Sequence, residues 1–347
     1  MESFKFKPYK MSSFQDLPDE LILKVLTYSE TKHLISCGQL SKRIRRISHD
    51  CKLWVTANLE KKIVNTNLLE MILGKGCQIL NLSHSTILGS LSLTTKSQLR
   101  VLNLSRIKGA VCNTLVLEEL LFNCCYLQHL AIENVFLTLK MAVSICNNSK
   151  TLQILNMKNS DLLHISHDNY FQEIIKCCQQ LKEIDLAYIN QNRLWSYGRY
   201  GVNQDDIEFL AKNIAPNVEK FNLSGNFVRD HHVKIILSRC NKIKALSLDG
   251  IDITDVTLAN IKQNLYLTLE ELTLGPNNDI NTRYSGNSVR GKSFRLAKPP
   301  LSFNGFLELK SMPRLKILNL YYEKDDCEEI QNLRPQLPHL MIKGVLD

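Results

Sequence analysis

The octet Gly286–Ser293, GNSVRGKS, meets the phosphate-loop spacing G-x-x-x-x-G-K-[ST] at each required position. A working loop of that kind cradles phosphates with backbone N–H groups, so it needs a buried strand before it and a helix after it. The residues before Gly286 read GPNNDINTRYS and contain no apolar run. After Ser293 the chain reads FRLAKPP, which leaves only about five residues before a proline whose predecessor resists the α conformation. No apolar strand ending in Asp follows to hold magnesium. The octet is therefore read as a chance match, and nucleotide hydrolysis is not expected. The segment does concentrate charge: Arg283, Arg290, Lys292, Arg295 and Lys298 occur with no acid between Asp279 and Glu308. Such a loop suits a phosphate group or an acidic peptide, although a solvated surface loop has the same composition.

Other chemistry is poorly supported. His231 and His232 are adjacent, which on a helix is expected to point their side chains apart, as two surface histidines rather than a metal pair. The eleven cysteines form no CxxC pair and no zinc-ligand spacing, so they are read as reduced thiols. Cys124, Cys178 and Cys240 each lie three residues before an apolar repeat position, a phase that suits small buried residues. No nucleophile elbow and no HExxH stretch occurs. No catalytic residue, metal or cofactor is expected.

The elements that would position these residues follow from a repeat. The pattern L-x-x-L-x-L returns with first positions Leu99, Leu127, Leu152, Leu181, Val218, Ile243, Leu269 and Leu315, and Leu80-Leu82 looks like an opening member. Most intervals fall in the roughly 20–29-residue range of leucine-rich repeats. The alternating leucines make a short strand with one buried face, and helical spacing follows, as in VTLANIKQNL after Thr254 and DNYFQEIIKCC from Asp168. Thr254 and Asp168 are the expected N-caps. One such unit cannot bury its apolar face, whereas stacked copies can. The expected fold is α/β, a solenoid with parallel strands on the concave face and helices outside. Two long intervals mark insertions at about 190–206, with Trp195, and at about 276–304, which contains the octet.

With 347 residues, 44% of them apolar and 22% charged, the composition is that of a folded globular chain. No stretch approaches the roughly 20 apolar residues of a membrane span, and MESFKFKPYKMSSF lacks a signal's continuous hydrophobic region. The net charge of +9 comes without a basic run interleaved with aromatics, so a nucleic-acid partner is not expected. Residence in the nucleus, the cytoplasm or both follows from the reduced thiols and the missing signal.

Residues 1–13 are read as a flexible N-terminus. Residues 14–54 form a small helical module: Asp16 is available as N-cap, Pro18 suits a first turn, and Asp19 and Glu20 suit the positive helix end. Leu21, Ile22, Val25 and Leu26 make one apolar stripe, and short helices are expected around Leu34 and Ile44–Ile47. So small a module buries little core and should dock on a partner. Residues 55–76 are expected to be a linker or first-repeat helix, and 77–347 the solenoid.

LPDEL at 17–21, SKRIRRIS at 41–48 and the closing Leu53-Trp54 resemble an F-box. An F-box followed by leucine-rich repeats is the arrangement of substrate receptors of SCF-type cullin–RING ubiquitin ligases, and the resemblance extends to LELKSMPRLKILNL and LRPQLPHLMI near the end. It implies a non-catalytic subunit that binds an SCF adaptor, and through it a cullin and a RING subunit. Leu17, Pro18, Glu20, Leu21, Ile22, Leu40, Lys42 and Trp54 match positions that contact the adaptor. Ile44 stands where the family usually has an aromatic, which implies weaker adaptor affinity. The chain stops at Asp347, so a tail folding back along the concave face, as in the resembled receptors, is expected to be absent or shortened. Substrate contacts are expected at Glu183, Asp185, Asn222, Asp249, Glu271 and Tyr321 on the strands, at Trp195, and at Arg290, Lys292 and Arg295. The substrate would be a protein with a basic stretch and an acidic or phosphorylated group. A repeat scaffold acting outside any ubiquitin ligase is the alternative.

Overall fold

The strand-and-helix grammar of the repeats closes into one continuous parallel sheet. The structure, a computed structural model, describes residues 14–162, 170–189, 204–275, 301–320 and 327–343. Three short helices come first: α1 (Asp19–Leu26), α2 (Thr31–Cys37) and α3 (Lys42–Ser48). The sheet then runs through β1 (Thr56–Asn58), β3 (Ile79–Asn81), β5 (Val101–Asn103), β6 (His129–Ala131), β8 (Ile154–Asn156) and β10 (Glu183–Asp185). It continues with β11 (Lys220–Asn222), β12 (Ala245–Leu248), β13 (Glu271–Leu274), β14 (Ile317–Leu320) and β15 (Met341–Lys343), which makes 11 strands in chain order among the described residues. Two small separate pairs are β2 (Ile63–Asn65) with β4 (Thr86–Leu88) and β7 (Phe136–Leu137) with β9 (Asp161–Leu162). Between strands lie α4 (Thr66–Gly74), α5 (Ala110–Phe122), α6 (Leu139–Asn147), α7 (Tyr170–Cys177), α8 (Gln204–Asn213), α9 (Asp230–Arg239) and α10 (Asp255–Leu265).

The register explains the leucines. Leu80, Leu102, Leu130, Leu155, Ile184, Phe221, Leu246, Leu272 and Leu318 pair in one row across the sheet, and all are buried. Each such side chain contributes about 1.5–3 kcal/mol by leaving water. The buried row faces the helices, so the intervening residues make an open face.

A second row ends six of the strands. Asn58, Asn81, Asn103, Asn156, Asp185 and Asn222 each accept, through a side-chain oxygen, the backbone N–H two residues on, at 2.9–3.1 Å. These Asx turns lead the chain off the sheet. Three residues on, the chain turns left-handed at Lys61, His84, Arg106, Asn159, Tyr188 and Gly225, and the same conformation recurs at Asn134 and Gly250, where no Asx residue ends the strand. Tyr188 accounts for the glycine at 225. A Cβ on Gly225 would sit 2.1 Å from the Tyr188 ring, and the ring's hydroxyl reaches on to donate to Asp249 Oδ2 at 2.9 Å.

The structure extends the repeat series at both ends. Leu80 does not open it, because β1 pairs in register ahead of β3, with Trp54, Ala57 and Leu59 in the L-x-x-L-x-L phase. Nor does Leu315 close it, because β15 pairs with β14, placing Ile342 opposite Leu318. The stretch 55–76 therefore holds β1 as well as α4. Thr254 caps α10 as expected, accepting the Val256 N–H at 3.2 Å. Asp16 does not cap α1, since it lies in a separate 3-10 turn and Pro18 precedes the helix. Asp168 falls outside the described residues. Of the two insertions, the described ends are structured: 204–206 opens α8, and Ser302 caps the helix Phe303–Leu307 by accepting the Gly305 N–H at 3.1 Å.

Cys124, Cys178 and Cys240 are buried, with thiols pushed up to about 12, 12 and 11 by desolvation. Cys124 donates to Leu120 O at 3.2 Å and Cys240 to Ala215 O at 3.3 Å, which fits packing at helix-to-strand junctions.

Candidate functional site

The helical foot is held from within by one acid. Asp19, at the start of α1, accepts from Arg43 Nε at 2.7 Å and Arg46 Nη2 at 2.5 Å, both on α3. Arg43 also donates to Leu17 O at 2.7 Å. The Arg43 hydrogen bond, with Arg46 behind it, holds the Asp19 carboxyl below its ordinary range. Ile22, Leu26, Leu34, Ile44, Ile47 and Trp54 are buried with the core. The Trp54 indole N–H donates to Ser48 O at 2.7 Å, and Thr31 Oγ1 accepts the Asn58 N–H at 2.9 Å, so the foot is joined to the first strand.

The outer side of α1 is apolar as well. Leu21 is 46% exposed, Val25 47% and Tyr28, just past the helix, 84%. The spacing i, i+4, i+7 puts them on one side of a helical path. The apolar stripe expected on α1 is thus two stripes: Ile22 and Leu26 turn inward, Leu21 and Val25 outward. Leu40, between α2 and α3, is 65% exposed. Pro18, Glu20 and Lys42 are exposed and Leu17 is half-buried. Val25 is expected in the apolar stripe but not among the contacts, and Tyr28 in neither, although their spacing from Leu21 could have found both.

Residues 14–60 match the family model described as F-box-like. The chain joins an F-box-like domain to a leucine-rich-repeat solenoid. Among curated proteins, Protein PAC2 of Saccharomyces cerevisiae is 19% identical over 213 residues, covering 57% of this chain and 41% of that protein, so the chain spans less than half of that relative's length. Among solved structures, the leucine-rich repeat-containing protein LegL7 from Legionella pneumophila is 15% identical, with a TM-score of 0.39, covering 80% of this chain and 86% of that one. The internalin InlF from Listeria monocytogenes is 16% identical, with a TM-score of 0.41, covering 95% and 89%. The repeat architecture rests on the strand register itself.

Within the F-box-like domain, two expected contact residues occupy other places. Ile22 is 0% exposed and Trp54 1%; both fill the core and present no surface to a partner. Ile44, expected to weaken an adaptor contact, is buried too. The Ile44 side chain lies in the core with Ile47.

On the open face, the described residues expected to contact substrate are largely engaged with neighbouring residues. Glu183 forms an ion pair with Lys220 at 2.8 Å. Asp185 and Asn222 cap their own strands, and burial raises the Asp185 pKa. Asp249 accepts from Tyr188, and Glu271 accepts from Asn319 Nδ2 at 2.8 Å. These residues lie on adjacent strands, but their polar atoms are already satisfied in part by neighbours. Trp195, Arg290, Lys292, Arg295 and Tyr321 fall outside the described residues, as does the Gly286–Ser293 octet.

The adjacent histidines do not point apart: their ring centroids are 3.7 Å from each other. His232 is fully buried and turns back to cap its own helix, its Nδ1 accepting the Arg229 N–H at 3.1 Å. With Glu208 the pair brings together three groups of metal-ligating type. Because Nδ1 serves as acceptor, the neutral ring carries its proton on Nε2, which lies 3.4 Å from Glu208 Oε2. A cation there would have to displace that proton, so the arrangement fits a helix cap better than a metal centre.

Burial, followed by the nearby His231 charge, holds the His232 pKa below its ordinary value. The unfolded chain takes up this proton as pH falls below about 6.5, while the fold resists it. The contribution is complete above that pH and is lost as pH falls toward the folded value. His232→Gln is therefore expected to flatten the fall in melting temperature between about pH 7.5 and pH 5.5. Parallel melting curves for both proteins would show that His232 is not a source of that slope.

Proposed function

We propose that this chain is the substrate-recognition subunit of an SCF-type cullin–RING ubiquitin ligase. The observation that carries the reading is the outward row Leu21, Val25 and Tyr28 on a domain that matches the F-box-like family. A cluster of exposed apolar side chains rimmed by polar residues is the kind of patch that marks a protein interaction site. The partner is the SCF adaptor, with Leu17, Pro18, Glu20, Leu40 and Lys42 around the apolar row. Through the adaptor the chain meets a cullin and a RING subunit in the nucleus or cytoplasm.

In this reading the chain performs no chemistry. The repeats hold a protein substrate, and the gain in rate comes from raised effective concentration beside a ubiquitin-loaded enzyme. Stacked repeats are stiff, which keeps substrate lysines in reach. Acidic groups on the middle strands, Glu183, Asp185, Asp249 and Glu271, suit a basic stretch of the substrate, and Arg290, Lys292 and Arg295 suit an acidic or phosphorylated group.

Co-purification of the full chain with the SCF adaptor tests this directly. The expected result is a stoichiometric complex that also recruits cullin and RING subunits, and that disappears when residues 14–60 are deleted. Recovery of the chain free of adaptor at micromolar concentrations would favour a repeat scaffold outside the ligase.

A further inference from the structure

A polar pocket of about 650 Å³ lies where the F-box-like domain meets the first repeat. Its walls are the turn between α1 and α2, the segment entering β1, and the residues that follow β1. Four lysines line it, Lys32, Lys52, Lys61 and Lys62, against two acids, Glu30 and Glu60. The acids are committed: Lys32 pairs with Glu30 at 2.8 Å and Lys61 with Glu60 at 3.0 Å. Lys52 and Lys62 form no ion pair among the described residues. Lys52 lies just ahead of β1 and Lys62 just after it.

The remaining lining supplies donors. Ser29 and Thr56 bring hydroxyls. Thr31 Oγ1 already accepts the Asn58 N–H, so its own proton is left to donate. A cavity of this size, with donors on several sides and two unpaired ammonium groups, is larger than one phosphate group needs and lies in the range of small-molecule sites. A phosphate group carries up to two charges on three terminal oxygens, where a carboxylate carries one on two, so it suits several cationic donors better.

We propose that this pocket binds a small, multiply charged phosphate anion, held between Lys52 of the F-box-like domain and Lys62 of the first repeat. A ligand so placed ties the domain to the solenoid by contacts that the apo chain lacks, and it stabilises the folded chain in proportion to its concentration. The same chemistry could come from a free polyphosphate or from a phosphorylated side chain. The inference does not depend on the ligase reading, since it needs only the joint between the two parts.

The test uses the full chain, with inorganic tripolyphosphate followed by calorimetry and thermal melting at fixed ionic strength. The expected result is saturable binding with a rise in melting temperature, weakened at least about tenfold in the Lys52→Ala/Lys62→Ala protein, as for loss of charge-assisted hydrogen bonds. Both side chains are exposed, so the ligand-free variant should melt like the parent. A phosphoserine tripeptide forms the second arm. Equal binding of both ligands assigns the site to a phosphorylated side chain, and binding of tripolyphosphate alone assigns it to a free anion. Absence of saturable binding would overturn the proposal and leave the lysines as guards of the exposed edge of β1. Equal binding by parent and variant would also overturn it, placing the anion elsewhere, for example on the basic segment around Arg290.

Discussion

Replacing Leu21 and Tyr28 together with glutamate is expected to reduce adaptor binding by about 1,000-fold, at roughly 2 kcal/mol for each apolar anchor lost from an interface centre. The free chain should scarcely notice. Both side chains already stand in water, and surface changes of this kind usually alter stability by less than about 0.5 kcal/mol. Titration calorimetry against purified adaptor reads the first quantity and thermal melting the second. The combination is what matters: normal melting with lost binding identifies a contact surface. Unchanged adaptor affinity would mean that the outward row of α1 is not where the partner sits, and the ligase reading would lose its main support.

Trp54→Ala should produce the opposite combination. The indole is buried, fills the first-position slot of the opening repeat, and donates to Ser48 O. Truncation of a buried aromatic to alanine costs about 3–5 kcal/mol. A domain of this size has little stability of its own to lose, so residues 19–48 should open while the later repeats keep their register. Hydrogen exchange would show protection vanishing from α1 to α3 and persisting at β8 to β12. Adaptor binding would vanish as well, but as a consequence of unfolding. If Trp54→Ala left those helices protected, the packing role assigned here to Trp54 would be wrong.

These two variants also mark where the sequence was legible. The repeat register could be read because leucine recurs in phase and nothing but a stacked sheet buries that phase. Its ends could not, because the opening strand carries Ala57 where others carry leucine, and the last aligns through Ile342. On α1 the sequence shows five apolar residues within six positions, Leu21, Ile22, Leu23, Val25 and Leu26. Which pair faces inward depends on α3, whose Arg43 and Arg46 fix the helix through Asp19. Composition alone does not contain that choice, so Ile22 was expected at the surface and Val25 was passed over. Trp54 was expected on the surface for a related reason, its slot in the opening repeat being visible only once β1 is known.

The open face was less legible still. Glu183, Asp185 and Asp249 look in sequence like free acids on alternating positions. In the fold they meet Lys220, the strand's own backbone and Tyr188. The left-handed row changes residue type from Lys61 to Tyr188, and only Asn134, Asn159, Gly225 and Gly250 are of types that favour it. The His232 cap was hidden because histidine is an unusual residue for that role.

The Tyr188 ring occupies space that belongs, in the next repeat, to a side chain at Gly225. Arrays of this kind often change length by duplicating or deleting a unit. Here the units beginning at Leu181, Val218 and Ile243 are keyed to one another in a fixed sequence. Moving any of them would either drive the ring into a new neighbour's Cβ or leave it without its carboxylate at Asp249. Length variation in this protein's lineage should therefore appear on either side of that trio and spare its interior.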